Sequence, residues 1–255
     1  MLSNKVSINF SLVLPCYNEE QNIDSLFKEI QKLDLNNIFC EFIFVNNGSE
    51  DKTELKIDNI IKVSNQNSNK QYSIVKLNLD KNLGYGGGIL AGLKYAKGQY
   101  IGWCHADLQT PLEDFLKLYV LVNGKSKVFG KGYRINNRGF DSLISKIHEK
   151  FASIILGADM KEVNAQPKII NKNDFLIFTN PPKKWTTIDT YFYFMALKNN
   201  FTIKTINVTF KPRIYGHSKW KNNKYTFLKY LILNFLYLFK LKLSYEKNNS
   251  TKSNS

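Results

Sequence analysis

The chain has 255 residues, enough for one large domain or two small ones, and 43% of them are apolar, which can fill a core and argues against disorder. The formal net charge of +15 predicts an anionic partner and leaves nucleic acid, a phosphorylated substrate and an anionic membrane surface open. Three single cysteines, Cys16, Cys40 and Cys104, lack Cys-x-x-Cys spacing, so we predict neither a disulfide framework nor a thiolate zinc site.

The two ends of the sequence predict a cytoplasmic protein. The N-terminal stretch lacks the apolar core and the cleavage site of a signal peptide. No apolar run reaches the roughly 18 residues needed to span a bilayer. The segment 227–243 is short, aromatic-rich and flanked by lysines, which is typical of an interfacial helix on an anionic leaflet, with burial in a homodimer interface as the alternative.

Strand and helix patterns alternate along the chain, first regularly and then in a more mixed order. The predicted strands are 6–14, 39–45, 72–77, 100–104, 168–170 and 203–210. Predicted helices follow the first four strands, with Ser49 as the N-cap of the second, and further helices cover 141–156 and 188–197.

This alternation predicts an α/β fold, with a mostly parallel sheet and helices on both faces. We expect one domain over residues 1–221, an amphipathic helix over 222–243 and an unstructured tail over 244–255. The helix over 141–156 is expected to pack on the core. In such a sheet, ligands bind at the carboxyl ends of the strands, and polar clusters stand at three of those ends.

The first two clusters carry groups that suit a nucleotide. In "LPCYNEE", Tyr17 offers a ring face and Glu19 a carboxylate, although Asn18 and Glu19 could simply cap a helix. In "VNNGSEDKT", the amides of Asn46 and Asn47 can both donate and accept, which suits a base edge or a ribose; a turn followed by an N-cap is the alternative.

The glycine-rich segment "NLGYGGGILAG" precedes a helix. Gly84 and Gly88 would let backbone amides approach phosphate at a helix N-terminus. A dinucleotide fingerprint, formed by Gly86, Gly88 and Ala91 with an acidic residue about 20 positions later, is a rival interpretation. It is weakened because residues 80–83 separate the glycines from the preceding strand.

The third polar cluster, "CHADLQTP", directly follows the strand 100–104. Asp107 and Gln109 present hard oxygen ligands able to hold Mg²⁺ or Mn²⁺ on a diphosphate, and His105 could add a nitrogen ligand. The alternative is that Asp107 and Thr110 only cap the helix that begins near Pro111.

Taken in order, these four motifs resemble the donor-site motifs of the family 2 inverting glycosyltransferases, which have a GT-A fold. The segments "VNAQPKII", "TTIDTYFYFMA" and "FKPRIYGHSKW" look like later segments of the polyprenyl-phosphate (dolichol-phosphate-like) branch. The resemblance implies that the donor nucleotide is bound by a set of loop residues: Pro15, Tyr17, Asn18, Glu19, Asn46, Asn47, Gly84, Gly88, His105 and Ala106.

The resemblance also implies the rest of the machinery. Asp107 and Gln109, with His105, would hold Mg²⁺ or Mn²⁺, and Asp189 would face the acceptor as a base, orient groups there or only cap its helix. A mobile loop and further polar residues would contact the diphosphate or the acceptor, namely Arg134, Arg138, Gln166, Arg213, Ser218 and Lys219.

Two departures from the family pattern bear on this assignment. Asn46 and Asn47 stand where the family usually carries acidic residues, and His105 stands where an Asp-x-Asp motif has its first carboxylate. The function implied is inverting transfer from a nucleoside-diphosphate sugar to polyprenyl phosphate or a lipid-linked glycan, peripherally on the cytoplasmic membrane face. The alternative is an inactive protein that binds membrane or nucleic acid, although we do not expect nucleic acid as the partner.

Overall fold

The structure is a computed structural model that describes residues 7–66, 71–136, 139–182, 187–215 and 224–253. The strands are β1 Phe10–Cys16, β2 Cys40–Asn47, β3 Tyr72–Leu79, β4 Tyr100–Trp103, β5 Val128–Arg134, β6 Lys168–Asn171 and β7 Thr202–Val208. The helices are α1 Glu20–Lys32, α2 Thr53–Asn65, α3 Gly84–Tyr95, α4 Leu112–Val122, α5 Phe140–Leu156, α6 Lys172–Phe175, α7 Ile188–Lys198 and α8 Lys224–Ser253.

The seven strands of the described residues belong to one mixed sheet in the order β3-β2-β1-β4-β6-β5-β7. Pairing is parallel except at β6, which runs antiparallel to both β4 and β5. The predicted α/β class with a mostly parallel sheet is therefore confirmed.

Helices cover both faces of the sheet because the central strands are apolar on both sides. In β1, Leu12 and Leu14 face α1, α2 and α4, whereas Val13 faces the layer formed by α3, α5, α7 and α8. The same alternation repeats in β2, where all eight residues are buried. A sheet buried on both faces is the arrangement that continuous apolar strands favour.

Pro15 lies inside β1, whereas the sequence predicted that the strand stops there. Its neighbour on one side is Val45 of β2, but β4 pairs with β1 only as far as Val13. Proline cannot donate a hydrogen bond to a sheet ladder. It is tolerated here because the ladder to β4 has already ended.

The close approach of β4 and β6 depends on Gly102. A Cβ at this position would lie 2.2 Å from the carbonyl oxygen of Lys168 and 2.4 Å from Cε2 of Phe115. The register pairs Gly102 with Ile169 and Trp103 with Lys168. This glycine therefore fixes how closely the second half of the chain joins the first.

The C-terminal helix is longer than predicted. Within the described residues α8 continues through Ser253, so the expectation of an unstructured tail from residue 244 is wrong for residues 244–253. Tyr245 packs edge-on against Phe194 of α7 at 5.3 Å between ring centroids, and Leu241 is buried, which gives this part of the helix a packing partner. Nowhere in the described ranges is a helix both long and apolar enough to cross a bilayer.

Two local predictions from the sequence also differ from the structure. Strand β5 was not predicted, because its two glycines and Lys131 interrupt the apolar pattern. Helix α2 begins at Thr53 with Lys52 as N-cap, so Ser49 does not cap it; the Ser49 hydroxyl instead accepts a hydrogen bond from the backbone of Asn18.

We predict that Gly102→Ala destabilises the fold by roughly 3 kcal/mol, because the new methyl group meets backbone in an already packed sheet. Gly88→Ala is the matched control, since the nearest atoms to its new Cβ are side-chain atoms at 3.3 Å or more, and we expect a change within about 1 kcal/mol. Urea unfolding followed by circular dichroism compares them. Equal stability of both variants would contradict the assigned role of Gly102.

Candidate functional site

The loops that follow β1 and β2 are locked together by reciprocal hydrogen bonds. The backbone N–H of Asn18 donates to Ser49 Oγ (3.1 Å), and the backbone N–H of Glu50 donates to the side-chain Oδ1 of Asn18 (2.9 Å). The Glu19 amide donates to Thr53 Oγ1 (2.8 Å). Asn18 adopts a left-handed conformation, which asparagine tolerates better than most residues. The two predicted nucleotide loops therefore form one rigid wall.

Glu19 is the charged group of this wall. Burial raises the pKa of its carboxyl group, a hydrogen bond from Asn22 Nδ2 lowers it, and the nearby Asp107 carboxylate raises it again. Glu19 stands at the N-cap of α1, but its side chain makes no capping hydrogen bond, which leaves the simple capping interpretation unsupported. Pro15 and Tyr17 lie half-buried beside it.

Asn46 and Asn47 are less available for a base than the sequence suggested. Asn47 is buried; its Oδ1 accepts from the Leu83 amide (2.9 Å), and its Nδ2 donates to Gly84 O (3.0 Å) and to Asn82 Oδ1 (3.2 Å). Asn46 donates to Asn78 Oδ1 (3.3 Å) and accepts from the Ser49 amide (3.2 Å). Internal contacts occupy the Asn47 amide in this conformation, and its contact with the base stays a prediction.

The glycine-rich segment is held against β2 by these amides. Gly84 begins α3 with a positive φ of 75°, and its amide donates to Asn82 Oδ1 (2.7 Å). Gly88 faces Asn47 and Pro15, where an added Cβ would lie 3.3 Å from the Asn47 Nδ2 atom. The glycines therefore allow a close approach of helix and strand, and the segment lines the same wall as Pro15.

After β4, the side chains of Asp107 and Gln109 both contact the guanidinium group of Arg213. The Asp107 Oδ2 atom lies 2.7 Å from Nη2 of Arg213, and Gln109 Oε1 accepts a hydrogen bond from Arg213 Nε (3.2 Å). Asp107 is almost fully buried. Leu108 between them has a positive φ of 60°, an outlier for a bulky residue of the kind that clusters at functional sites. The alternative that Asp107 or Thr110 caps α4 is unsupported, since the N-cap is Pro111 and no side chain caps it.

Arg213 reaches Asp107 because the segment after β7 is bonded to the same loop. The Lys211 amide donates to Gln109 O (2.8 Å), and Gln109 Nε2 donates to Lys211 O (2.9 Å). Phe210 exchanges two hydrogen bonds with Asn136. The placement of Arg213 over the predicted metal residues was not predicted from the sequence.

His105 lies in an aromatic environment beside these oxygens. Its ring packs edge-on against Tyr85 at 5.3 Å and Phe210 at 6.3 Å between ring centroids, and burial lowers its pKa, which favours the neutral imidazole. The buried Nδ1 atom makes no hydrogen bond with any residue that the structure describes. Ala106, also buried, carries no polar side chain between His105 and Asp107.

Two hard oxygens that already share a guanidinium suit a divalent cation. Mg²⁺ typically takes one or two carboxylates and completes its shell with water and substrate phosphates. Within the described part of the chain no group of three or more His, Cys, Asp or Glu side chains could hold a metal alone. Asp107 and Gln109 therefore fit a metal whose remaining ligands come from a bound diphosphate.

Asp189 lies in a buried network at the first turn of α7. Its Oδ1 atom is 2.8 Å from Lys168 Nζ and accepts hydrogen bonds from Trp103 Nε1 (2.9 Å) and Gln166 Nε2 (3.1 Å). Lys168 is fully buried; burial lowers its pKa and Asp189 opposes that shift. No side chain caps α7, so the capping interpretation of Asp189 is unsupported. The sequence signal that was missed is a lysine at the start of an apolar strand.

Gln166 connects this network to His105. Its Nε2 atom also donates to the hydroxyl of Tyr85 (2.9 Å), whose ring contacts His105. Gln166 is fully buried, and its Oε1 atom has no hydrogen-bond partner among the described residues. Asp189 and Asp107 thus lie at two ends of one connected set of side chains.

Of the remaining predicted basic residues, the structure describes Arg134. Arg134 does not stand free on a loop: it ends β5 and forms an ion pair with Glu162, its side chain only 6% exposed. In this conformation Glu162 occupies the guanidinium, and the contact of Arg134 with an acceptor phosphate stays a prediction. Arg138, Ser218 and Lys219 lie outside the described residues.

We predict that Lys168→Met destabilises the protein by about 3–5 kcal/mol, because it leaves Asp189 as a buried charge without its cation. Adding Asp189→Asn should restore part of that loss. The control is Lys56→Met, which removes an exposed pair with Asp24 and should cost less than about 1 kcal/mol. If thermal and chemical unfolding rank Lys56→Met as the more damaging change, the buried pair has been misassigned.

The relatives of this chain include enzymes named for polyprenyl-phosphate substrates. A dolichyl-phosphate beta-glucosyltransferase of Trichomonas vaginalis is 30% identical over 62% of this chain and 48% of its own length. An undecaprenyl-phosphate 4-deoxy-4-formamido-L-arabinose transferase of Pectobacterium atrosepticum is 26% identical over 90% of this chain and 65% of its own. The chain thus spans between about half and two thirds of the length of these relatives.

A solved structure is similar to this fold, and the sequence matches a family model. The mannosyltransferase of Pyrobaculum calidifontis in complex with GDP-Man and Mn²⁺ has a TM-score of 0.65 at 13% identity, covering 92% of this chain and 65% of its own. The sequence model of the family "Glycosyl transferase family 2" matches residues 11–196, which is most of the chain. The match includes the loops after β1, β2 and β4 together with Asp189. The chain belongs to glycosyl transferase family 2.

Proposed function

We propose that this glycosyltransferase moves a sugar from a nucleoside-diphosphate sugar to polyprenyl phosphate, with inversion. The assignment of a nucleoside-diphosphate sugar as donor rests on one observation: Asp107 Oδ2 and Gln109 Oε1 both contact the Arg213 guanidinium after the carboxyl end of β4. The names of the two relatives support the acceptor half.

The donor would lie along the wall formed by the first two loops. Tyr17 and Glu19 stand at the same carboxyl edge of the sheet as Asp107, and the Asp107 carboxylate is close enough to raise the pKa of Glu19. A ring and a carboxylate would then be within reach of a nucleoside whose diphosphate is at Asp107. With Asn46 and Asn47 occupied internally, backbone groups of the same loops remain to contact the base.

The diphosphate end requires an exchange of cations. When bound, a divalent ion would offset the charge that develops on the departing nucleoside diphosphate. Asp107 and Gln109 would hold it, and Arg213 would have to leave Asp107. The guanidinium released in this way can form bidentate hydrogen bonds with phosphate oxygens. Arg213 therefore serves as the counterion of Asp107 in the free protein and as a diphosphate ligand in the complex.

The acceptor end depends on Asp189 and its donors. Lys168, Trp103 and Gln166 all approach one oxygen of the carboxylate, which fixes its orientation. A phosphate acceptor is already anionic and needs little proton removal, so Asp189 would orient the acceptor rather than act as a strong base. Direct attack of that phosphate on the anomeric carbon, with no covalent enzyme intermediate, inverts the configuration.

Turnover of UDP- and GDP-sugars with detergent-solubilised polyprenyl phosphate and Mn²⁺, followed by mass spectrometry of the lipid product, tests the proposal. We expect glycosylated lipid from the wild type and a loss of at least about 100-fold for Asp107→Asn. Asp24→Asn, an exposed carboxylate on α1, is the control and should retain activity. Absence of any product from wild type, with nucleotide binding retained, would favour an inactive binding protein.

If Arg213 and the metal compete for Asp107, removing Arg213 should strengthen Mn²⁺ binding and slow turnover. Arg213→Ala should bind Mn²⁺ more tightly than the wild type without nucleotide, because the competing guanidinium is gone, yet turn over at least about tenfold more slowly. Lys211→Ala removes an equal charge two positions away and controls for net charge. Isothermal titration with Mn²⁺ alone and the lipid assay give the two readings. Weaker Mn²⁺ binding by Arg213→Ala would contradict the exchange.

A further inference from the structure

Two neighbouring helices expose rows of large apolar side chains. The residues of each row recur at helical spacing, and each is at least 45% exposed. They are Leu228, Ile232, Leu236, Phe239 and Leu243 on α8, and Leu143, Ile147, Phe151 and Ile154 on α5. Exposed apolar residues scattered singly are ordinary, but a contiguous set of this size marks an interaction surface. The opposite side of α8 packs in the core through Leu238 and Leu241, so the exposed row is a second apolar surface of this helix.

The two rows form one surface. Phe151 of α5 packs edge-on against Phe235 of α8 at 4.9 Å between ring centroids. Phe235 lies three residues after Ile232 and four before Phe239, so by helical spacing it borders the exposed row. The rows of α5 and α8 therefore meet along the seam between the helices, and we call them together the α5–α8 face.

Basic side chains border this face. Lys229 and Lys240 are exposed on α8 and lie eleven positions apart, which places them on one side of the helix next to the apolar row. Lys146 and Lys150 are exposed on α5. An apolar row edged by lysines is the pattern of a helix that lies in a membrane interface. A second copy of the chain is a poorer occupant, since a two-fold contact would join two faces that carry the same positive charge, whereas an anionic surface complements it.

The same side of the molecule includes the rim of the candidate site. Helix α5 begins shortly after Asn136, which is bonded to Phe210 beside His105. Ile135 and Ile214, next to Asn136 and Arg213 in the chain, expose more than half of their side chains. A surface that docks through α5 and α8 would therefore hold this rim close to the headgroup region.

We infer that the α5–α8 face docks onto an anionic lipid bilayer, inserting its apolar row and placing Lys229 and Lys240 among the headgroups. This deepens the proposed function, because a polyprenyl phosphate presents its phosphate at that depth. Lysines near an anionic surface and apolar groups buried among the lipids both strengthen binding.

Sedimentation with vesicles that contain no polyprenyl phosphate tests docking alone. The full chain should bind phosphatidylglycerol-containing vesicles and should bind phosphatidylcholine vesicles at least about tenfold more weakly. Ile232→Ser with Leu236→Ser should lower binding by roughly tenfold or more. Leu55→Ser with Val120→Ser is the matched control, because these exposed residues lie on helices of the opposite sheet face, and should bind like the wild type.

Charge reversal separates a specific face from general attraction of a basic protein. Lys229→Glu with Lys240→Glu should lower binding at least about fivefold more than Lys28→Glu with Lys32→Glu, which makes the same change on α1. Equal effects of the two pairs, or no binding of the wild type, would overturn the inference. A concentration-dependent dimer in sedimentation velocity that Ile232→Ser with Leu236→Ser dissolves would assign the face to a second copy.

These readings are independent of the proposed reaction. Failure to dock with turnover of detergent-solubilised lipid intact would remove the docking inference alone. Docking without turnover of any donor would remove the proposed function and leave the surface assigned.

Discussion

An ammonium group and a carboxylate buried together in an apolar layer must pair, and the pair between Lys168 and Asp189 fixes α7 to β6. Lys168 stands on β6, Asp189 on α7, and Trp103 of β4 donates to the same carboxylate oxygen. Breaking either partner would leave a charge without compensation in low dielectric. The strand, the helix and the antiparallel contact at Gly102 are consequently held in one arrangement, on which the acceptor side of the site depends.

The donor side is built by a different means. Its loops lie at the carboxyl ends of the strands and are fixed by short polar side chains that bond to backbone of adjacent segments, as Asn18, Ser49 and Asn47 do. One charged group there, Asp107, is satisfied by Arg213 from a segment near the end of the domain. A counterion that arrives on a connecting segment can leave without disturbing the sheet, whereas the counterion of Asp189 cannot. This contrast underlies the separate roles that we propose for the two carboxylates.

The sequence predicted the first half of the fold well, because continuous apolar runs bounded by turn residues have few other interpretations. It predicted which loops meet, since carboxyl ends of parallel strands share one edge. It could not show that Asn46 and Asn47 form internal hydrogen bonds with Asn78, Asn82 and nearby backbone, because the same residues suit a turn and a ligand equally. Long-range pairs such as Arg134 with Glu162, and Lys168 with Asp189, depend on the order of β6, β5 and β7, which no local pattern contains. The helical end of α8 likewise depends on Tyr245 finding Phe194.

The central claim is that Asp107 exchanges Arg213 for a metal-bound diphosphate. The most direct measurement is a crystal structure of the chain with Mn²⁺ and a nucleoside diphosphate, in which anomalous scattering locates the manganese. The account predicts manganese on the Asp107 carboxylate, with Gln109 nearby and the Arg213 guanidinium moved onto the phosphates. Manganese and nucleotide bound elsewhere, with Arg213 still paired to Asp107, would contradict it.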